Sequence, residues 1–180
     1  TIPRISVADS AGRITEVTLS AGELNGVRPP APPPHSWAAR PENEVAIWTA
    51  RLEAGAQFTL PAASAGVGRM LYFFRGSELR VASTRIEGAR AVELHADRPT
   101  SIENGAEEGE FLLLQGRAIG ETVARRGPFV MNTNAEIREA YLDYQATQFG
   151  GWPWDSEAPV HGPEARRFAK RPDGSIETPS

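Results

Sequence analysis

The side chains that most often carry enzyme chemistry are few in this chain and far apart. The three histidines are His35, His95 and His161, and no two of them have the short spacing that brings two imidazoles to one metal ion. Cysteine is absent, which excludes disulfides, thiolate metal sites and a cysteine nucleophile. A metal site built from the three histidines would need three distant segments to converge, so we expect surface or loop histidines instead.

Nucleophilic and acid–base signatures are equally sparse. The sequence contains no G-x-S-x-G motif, and no serine has a histidine and an acid at a recognisable spacing. Glu107, Glu108 and Glu110 are typical of a charged hairpin tip rather than of an acid–base pair. Arg125 and Arg126 are suited to a phosphate or carboxylate, although a solvated face is the more common role of such a pair. We therefore assign no catalytic residue.

Composition narrows the class of protein. A length of 180 residues suits one domain with a terminal extension. The net charge of −4 does not favour a nucleic-acid site or an anionic membrane surface as partner. No apolar run approaches the roughly 20 residues that span a bilayer. We expect a cytoplasmic protein.

Short strand patterns dominate the first two thirds of the chain. Residues 13–20 are rich in β-branched residues and predict a first strand. Residues 29–41 contain six prolines and predict a surface loop, with a recognition segment for an SH3-type partner as the alternative. Between residues 44 and 116, apolar runs alternate with turn signals every 8 to 12 residues. This pattern predicts an all-β sandwich or barrel.

The pattern changes at the stretch GPFVMNT, which contains almost no reactive chemistry. Its seven residues are Gly127, Pro128, Phe129, Val130, Met131, Asn132 and Thr133. The Gly-Pro pair should end the last strand, and the apolar residues should pin the chain to the domain. Thr133 and Glu136 have the spacing of a capping box, so a helix of about 14 residues is predicted to follow and to end at Gly150-Gly151. We interpret the stretch as structural.

Together with the helix NAEIREAYLDYQATQFGGW, this stretch resembles the C-terminal half of a pirin-family protein, which is a bicupin. The segments GELNGVRPP, ARLEAGAQFTLPA, LYFFRG and EFLLLQGRAIGETV follow in the order used by that family's C-terminal cupin. The resemblance implies an all-β, cupin-type β-barrel or jelly roll with a C-terminal α-helix and an extended tail. The implied organisation is a connector with a possible first strand (1–28), the barrel (29–126), the turn and helix (127–151) and the tail (152–180).

The resemblance also implies that the family's iron lies outside this chain. In pirins, three His and one Glu of the N-terminal cupin hold the iron, and that cupin has no counterpart here. When Gly55 and Gly76 are taken as the framing glycines of the first cupin motif, its ligand positions are occupied by Pro61, Ala63 and Arg69. The second motif, framed on Asn104, places Thr100 at the position of the last His. Proline and alanine side chains cannot ligate a metal, and arginine would repel one. We expect no metal and no other cofactor in this chain.

Three functions follow from the resemblance. The first is a non-catalytic cupin that supports a separate iron-binding cupin, in the same gene product or as another chain. The second is one half of a quercetin 2,3-dioxygenase-like oxygenase whose active site lies in the N-terminal half. The third is a small-molecule binder whose cavity is lined by Trp48, Arg69, Tyr72 and Phe74, although a filled core is typical of small barrels. A cupin without its companion would expose an apolar face, so a homodimer is also expected.

Overall fold

The computed structural model describes residues 2–154, 157, 163 and 166–179, and most of its ordered elements are strands. In chain order the strands are β1 (Arg4–Ala8), β2 (Ile14–Ala21), β3 (Ala46–Leu52), β4 (Gln57–Leu60), β5 (Val67–Arg75), β6 (Glu78–Val81), β7 (Thr84–Glu87), β8 (Arg90–His95), β9 (Thr100–Asn104), β10 (Gly109–Arg117), β11 (Ala124–Arg126), β12 (Phe129–Met131), β13 (Ala169–Lys170) and β14 (Ile176–Glu177). One α-helix, α1 (Asn134–Thr147), follows β12.

Two antiparallel sheets enclose the core. The first has six strands in the order β1-β2-β3-β10-β5-β8, and the second has four in the order β4-β9-β6-β7. Side chains alternate between the two faces of each strand. The inward residues of both sheets form one apolar cluster, with Phe73 and Phe111 among its largest members. The all-β, cupin-type prediction with a C-terminal helix is confirmed.

The N-terminal segment is part of the first sheet. Strand β2 pairs with β3, and β1 covers the outer edge of β2. The Asp9 carboxylate accepts hydrogen bonds from the backbone N–H groups of Ala11, Arg13 and Gln57 and from the Arg13 side chain. Burial alone would raise the pKa of Asp9, but these hydrogen bonds outweigh it and lower the pKa to about 2. Segment 1–28, expected to be a connector with a possible first strand, contributes two strands to the first sheet.

A buried asparagine connects the two sheets near the start of β10. The Nδ2 atom of Asn104 lies 3.1, 2.9 and 2.7 Å from the carbonyl oxygens of Leu52, Glu53 and Glu107. Only 4% of Asn104 is exposed. A Cβ atom added at Gly109, the first residue of β10, would collide with Asn104 Oδ1, so this position needs glycine. One amide thus joins β3, the end of β9 and the turn into β10.

The GPFVMNT stretch forms a hairpin followed by the helix cap. Gly127, at φ +55°, and Pro128 turn the chain between β11 and β12. The Phe129 ring meets Tyr141 edge-on, with ring centroids 4.8 Å apart, but it is only half-buried. Replacing a fully buried phenylalanine by alanine destabilises a protein by about 3 to 5 kcal/mol. Because Phe129 is only half-buried, Phe129→Ala should cost less than this. Helix α1 ends at Thr147, and its C-cap residue Gln148, two residues before the predicted Gly150, is in the left-handed conformation.

The capping box predicted at Thr133 and Glu136 is present. The Glu136 N–H donates to Thr133 Oγ1 over 3.2 Å, and the Glu136 carboxylate accepts from the Thr133 N–H over 2.7 Å. We expect Thr133→Ala to destabilise the helix by about 1 kcal/mol, because one of its first N–H groups loses its acceptor. Hydrogen exchange of the first-turn amides measures this effect. Thr133→Ser keeps the hydroxyl and is the matched control; equal protection in all three proteins would contradict the prediction.

The proline-rich segment is a loop over residues 29–36, and two single-turn 3-10 helices follow, Trp37–Ala39 and Pro41–Asn43. The Trp37 indole N–H donates to the carbonyl of Arg117 at the end of β10, over 2.9 Å. The Asn43 amide donates to the Trp37 carbonyl. The loop is thus fixed to the first sheet through an aromatic side chain.

The chain divides into two compact units, residues 1–119 and 120–180. The first contains both large sheets. The second contains the β11–β12 hairpin, α1 and the small β13–β14 hairpin, which gives the predicted extended tail some secondary structure of its own. Across the described residues, no helix has the length and apolarity that a membrane crossing requires.

Candidate functional site

The side chains at the metal-ligand positions do not form a metal site. Arg69 and Thr100 are buried, Ala63 is half-buried and Pro61 is exposed. His35 and His95 are exposed on separate segments, and His161 lies outside the described residues. Within the part of the chain that the structure describes, no three His, Cys, Asp or Glu side chains are grouped so that they could hold a metal ion. The iron implied by the family resemblance does not fit these residues, because the buried charged group among them is a cation.

Arg69 is the most unusual polar residue of the sandwich. It lies on β5, on the same face as Leu71 and Phe73, and only 3% of it is exposed. Its Nε and Nη2 atoms both donate to Gln115 Oε1, over 2.8 and 2.5 Å. Its Nη1 atom is buried and has no hydrogen-bond partner. A buried charge of this kind is normally paired.

A chain of hydrogen bonds fixes the orientation of the guanidinium. Gln115 Nε2 donates to the carbonyl oxygen of Glu44 over 2.9 Å, which turns Gln115 Oε1 toward Arg69. The Glu44 carboxylate accepts from the N–H and hydroxyl of Ser64, both at 2.8 Å. These contacts, led by the Ser64 N–H, lower the pKa of Glu44, with smaller contributions from Arg117 and Arg69. Burial lowers the pKa of Arg69, and Glu44 opposes that change.

The four predicted cavity residues do not share a face. Trp48 and Arg69 point inward, and the Trp48 indole donates to the Ala21 carbonyl over 3.1 Å. Tyr72 and Phe74 point outward and are 39% and 50% exposed. The reason is the alternation of β5, in which odd-numbered residues face the core up to Phe73. In this structure the four residues therefore do not line one common cavity, and apolar side chains of both sheets occupy the interior.

The outward residues form an apolar surface that we call the outer sheet face. Met70 on β5 lies opposite Leu114 on β10, which lies opposite Ile47 on β3. Tyr72 and Leu112 form the next row. Phe74 is the extra residue of a β-bulge in β5. The outer sheet face consists of Ile47, Met70, Tyr72, Phe74, Leu112 and Leu114.

One end of the outer sheet face is bordered by charge. Arg75 pairs with Glu110, and Arg51 pairs with Glu16 and Glu108. These ion pairs connect neighbouring strands. The two arginine side chains are more than half exposed, whereas Glu16 and Glu110 are 25% and 20% exposed. An apolar centre with a polar rim is typical of a protein–protein interface.

Two shallow clefts lie elsewhere. One, of about 350 Å³, borders β1 and β4 and is lined by residues that include Asp9, Gln57, Phe58 and Pro61. The other, of about 360 Å³, lies in the second unit and is lined by Arg126, Arg138, Tyr141, Leu142 and Gln145. Arg126 stacks over Tyr141. Neither cleft contains a nucleophile next to a base.

Sequence reasoning did not identify Gln115 and Glu44. Both are common surface residues, and Gln115 is 46 residues from the guanidinium it orients. No local spacing links them, so only the pairing of β5 with β10 could have revealed the cluster.

Comparison with known proteins places the fold in a family. The model of the pirin C-terminal cupin domain matches residues 47–150. Pirin from Rattus norvegicus is 39% identical over 70 residues, which is 38% of this chain and 24% of that protein. Pirin-1 from Arabidopsis thaliana is 55% identical over 40 residues, or 22% of this chain and 14% of that protein.

A solved structure agrees over a longer span. The crystal structure of quercetin 2,3-dioxygenase from Acinetobacter baumannii superposes with a TM-score of 0.68 and 29% identity, covering 83% of this chain and 48% of that one. The chain spans less than half the length of each of these three proteins. The family model covers more than half of this chain, including β3 to β10 and α1. The chain belongs to the pirin family, through that family's C-terminal cupin domain.

Proposed function

We propose that this chain is a metal-free cupin with a structural role, and that its outer sheet face packs against the iron-binding cupin of a pirin-like protein. The observation that carries the proposal is the in-register apolar row of Met70, Leu114 and Ile47 across three central strands. Ile47 and Leu114 are 38% and 36% exposed. Contiguous apolar surface in the middle of a sheet is costly in water and marks an interaction site.

The companion cupin is the occupant that fits this face best. The matching family model describes a C-terminal domain, and the relatives are more than twice as long as the part that this chain matches. A domain of similar size with a flat apolar sheet of its own would bury the face, and the charged rim would set the register.

Oxygenase chemistry, if the full-length protein has it, would belong to that companion. The name of the A. baumannii protein describes a quercetin 2,3-dioxygenase, and this chain matches 48% of it. Proline, alanine, arginine and threonine at the ligand positions supply no donor set for iron. The role left to this chain is to complete the fold and to support the neighbouring site.

Association of the purified chain tests the proposal. In the absence of the companion, a second copy is expected to cover the outer sheet face, so sedimentation velocity should detect a concentration-dependent dimer. Ile47→Glu and Phe74→Glu place a charge in the face and should return the chain to a monomer. Iron measured in the same tag-free sample should remain well below one atom per chain.

A matched control is Val123→Glu, which introduces the same charge at a residue that is 75% exposed and outside the sheet. This variant should associate like the wild type. A wild-type chain that stays monomeric at every concentration, or a dimer unaffected by both face variants, would contradict the role of the face. Stoichiometric iron would contradict the metal-free assignment.

A further inference from the structure

We propose that Arg69 holds a small monovalent anion, such as chloride or formate, inside the cupin sandwich. The site lies at a position where the family resemblance places a metal ligand. This proposal does not depend on the outer sheet face, because Arg69 lies on the opposite side of β5.

The first step is the unpaired donor. Arg69 Nη1 is shielded from solvent and has no acceptor within the described residues. Guanidinium groups remain charged at all ordinary pH values, so Arg69 cannot remove its unpaired donor by losing a proton. A buried donor on a charged group that lacks an acceptor destabilises the folded state more than a neutral one does. Something that accepts hydrogen bonds is therefore expected beside Nη1.

The second step is the uncompensated charge. Gln115 supplies a neutral oxygen to the Nε–Nη2 edge of the guanidinium. Glu44 is the acidic group that acts electrostatically on Arg69, but its two oxygens accept from Ser64. No carboxylate within the described ranges comes within ion-pair distance of Arg69. A water molecule would satisfy the donor but would leave the charge unpaired, whereas an anion satisfies both requirements.

The third step is geometry and size. Gln115 is held by the Glu44 carbonyl, so the guanidinium cannot swing toward solvent without breaking this chain of hydrogen bonds. The remaining edge, which includes Nη1, is the planar fork that binds carboxylates and other anions. The next inward residues of β5 and β10, Leu71 and Leu113, are apolar and fully buried, so a ligand at this edge is expected to be small.

The arrangement inverts the usual electrostatics of a metal-binding cupin. There a buried cation is held by histidines and a carboxylate of the protein. Here the protein supplies the cation, and the complementary ligand is negative. Divalent metal ions are excluded from the same space by repulsion from the guanidinium.

Thermal unfolding in matched salts tests the site. The wild type is melted at constant ionic strength in gluconate, which is too large to enter, and in chloride or formate. Chloride or formate should raise Tm saturably, by about 3 to 5 °C once the anion exceeds its Kd about tenfold. Arg69→Met should lose this anion-specific shift. Arg80→Met, at an exposed arginine on β6, is the matched control and should retain it.

A second measurement keeps the test decisive if Arg69→Met fails to fold. Wild-type crystals soaked in bromide should give an anomalous peak within hydrogen-bonding distance of Arg69 Nη1. A water molecule or empty space at that position in both bromide-soaked and formate-soaked crystals would overturn the proposal. Equal Tm values in gluconate, chloride and formate would also overturn it, as would an unchanged shift in Arg69→Met. Formate binding without bromide binding would identify the site as specific for carboxylates.

Discussion

Phe73→Ala should destabilise the protein by about 3 to 5 kcal/mol, whereas Phe74→Ala should change the free energy of unfolding by less than about 1 kcal/mol. The two residues are adjacent and identical, but Phe73 is 1% exposed and Phe74 is 50% exposed. The Phe73 ring also packs against the turn after β5, because a Cβ atom added at Gly76 would lie only 2.8 Å from Phe73 Cζ. Removing the Phe73 ring leaves a cavity between the two sheets that the residues of this turn cannot fill.

Urea unfolding followed by tryptophan fluorescence measures both variants, because Trp48 lies in the same apolar cluster as Phe73. Phe74→Ala serves as the internal control for the loss of an aromatic ring from the same strand. Equal destabilisation by the two substitutions would mean that the alternation of β5 is misassigned. It would also remove the basis for the outer sheet face.

The same strand shows how far sequence alone could go. The run RMLYFFRG is apolar at both odd and even positions, so it predicts a strand without telling which face is buried. Pairing with β10 decides the question, because it places Leu71 and Phe73 beside Leu113 and Phe111 in the core. The bulge at Phe74 depends on the same pairing and leaves no local signal.

Local chemistry was easier to predict than long-range contacts. The capping box at Thr133 depends on four consecutive residues, and it appeared where the spacing placed it. Strand β7 has no clear sequence signal, because its sequence, TRIE, has one apolar residue and no clear alternation. The Arg69–Gln115 contact joins residues 46 positions apart, so periodicity carried no information about it. The sequence did indicate that the interior would not suit a metal ion. It did not indicate that Arg69 would be buried with one of its donors unpaired.

Asn104→Asp should destabilise the protein by about 3 to 5 kcal/mol at neutral pH, although the two side chains have nearly the same shape. The amide Nδ2 lies close to three carbonyl oxygens, from Leu52, Glu53 and Glu107. An ionised carboxylate would bring a negative oxygen to these acceptors in a site that is 4% exposed. The introduced carboxyl can donate a hydrogen bond only while it is protonated.

The pH dependence separates this explanation from a simple loss of packing. Burial among acceptors raises the folded-state pKa of the introduced carboxyl above the unfolded value of about 3.9. The loss in free energy of unfolding relative to wild type should therefore be smallest below about pH 4. It should grow as the pH rises through the folded-state pKa of the introduced carboxyl. Asn134→Asp makes the same exchange at the exposed first residue of α1, where a negative charge is favourable, and should cost nothing. A deficit for Asn104→Asp that is the same at pH 4 and pH 7 would show that shape, rather than donation to the three carbonyls, is what Asn104 contributes.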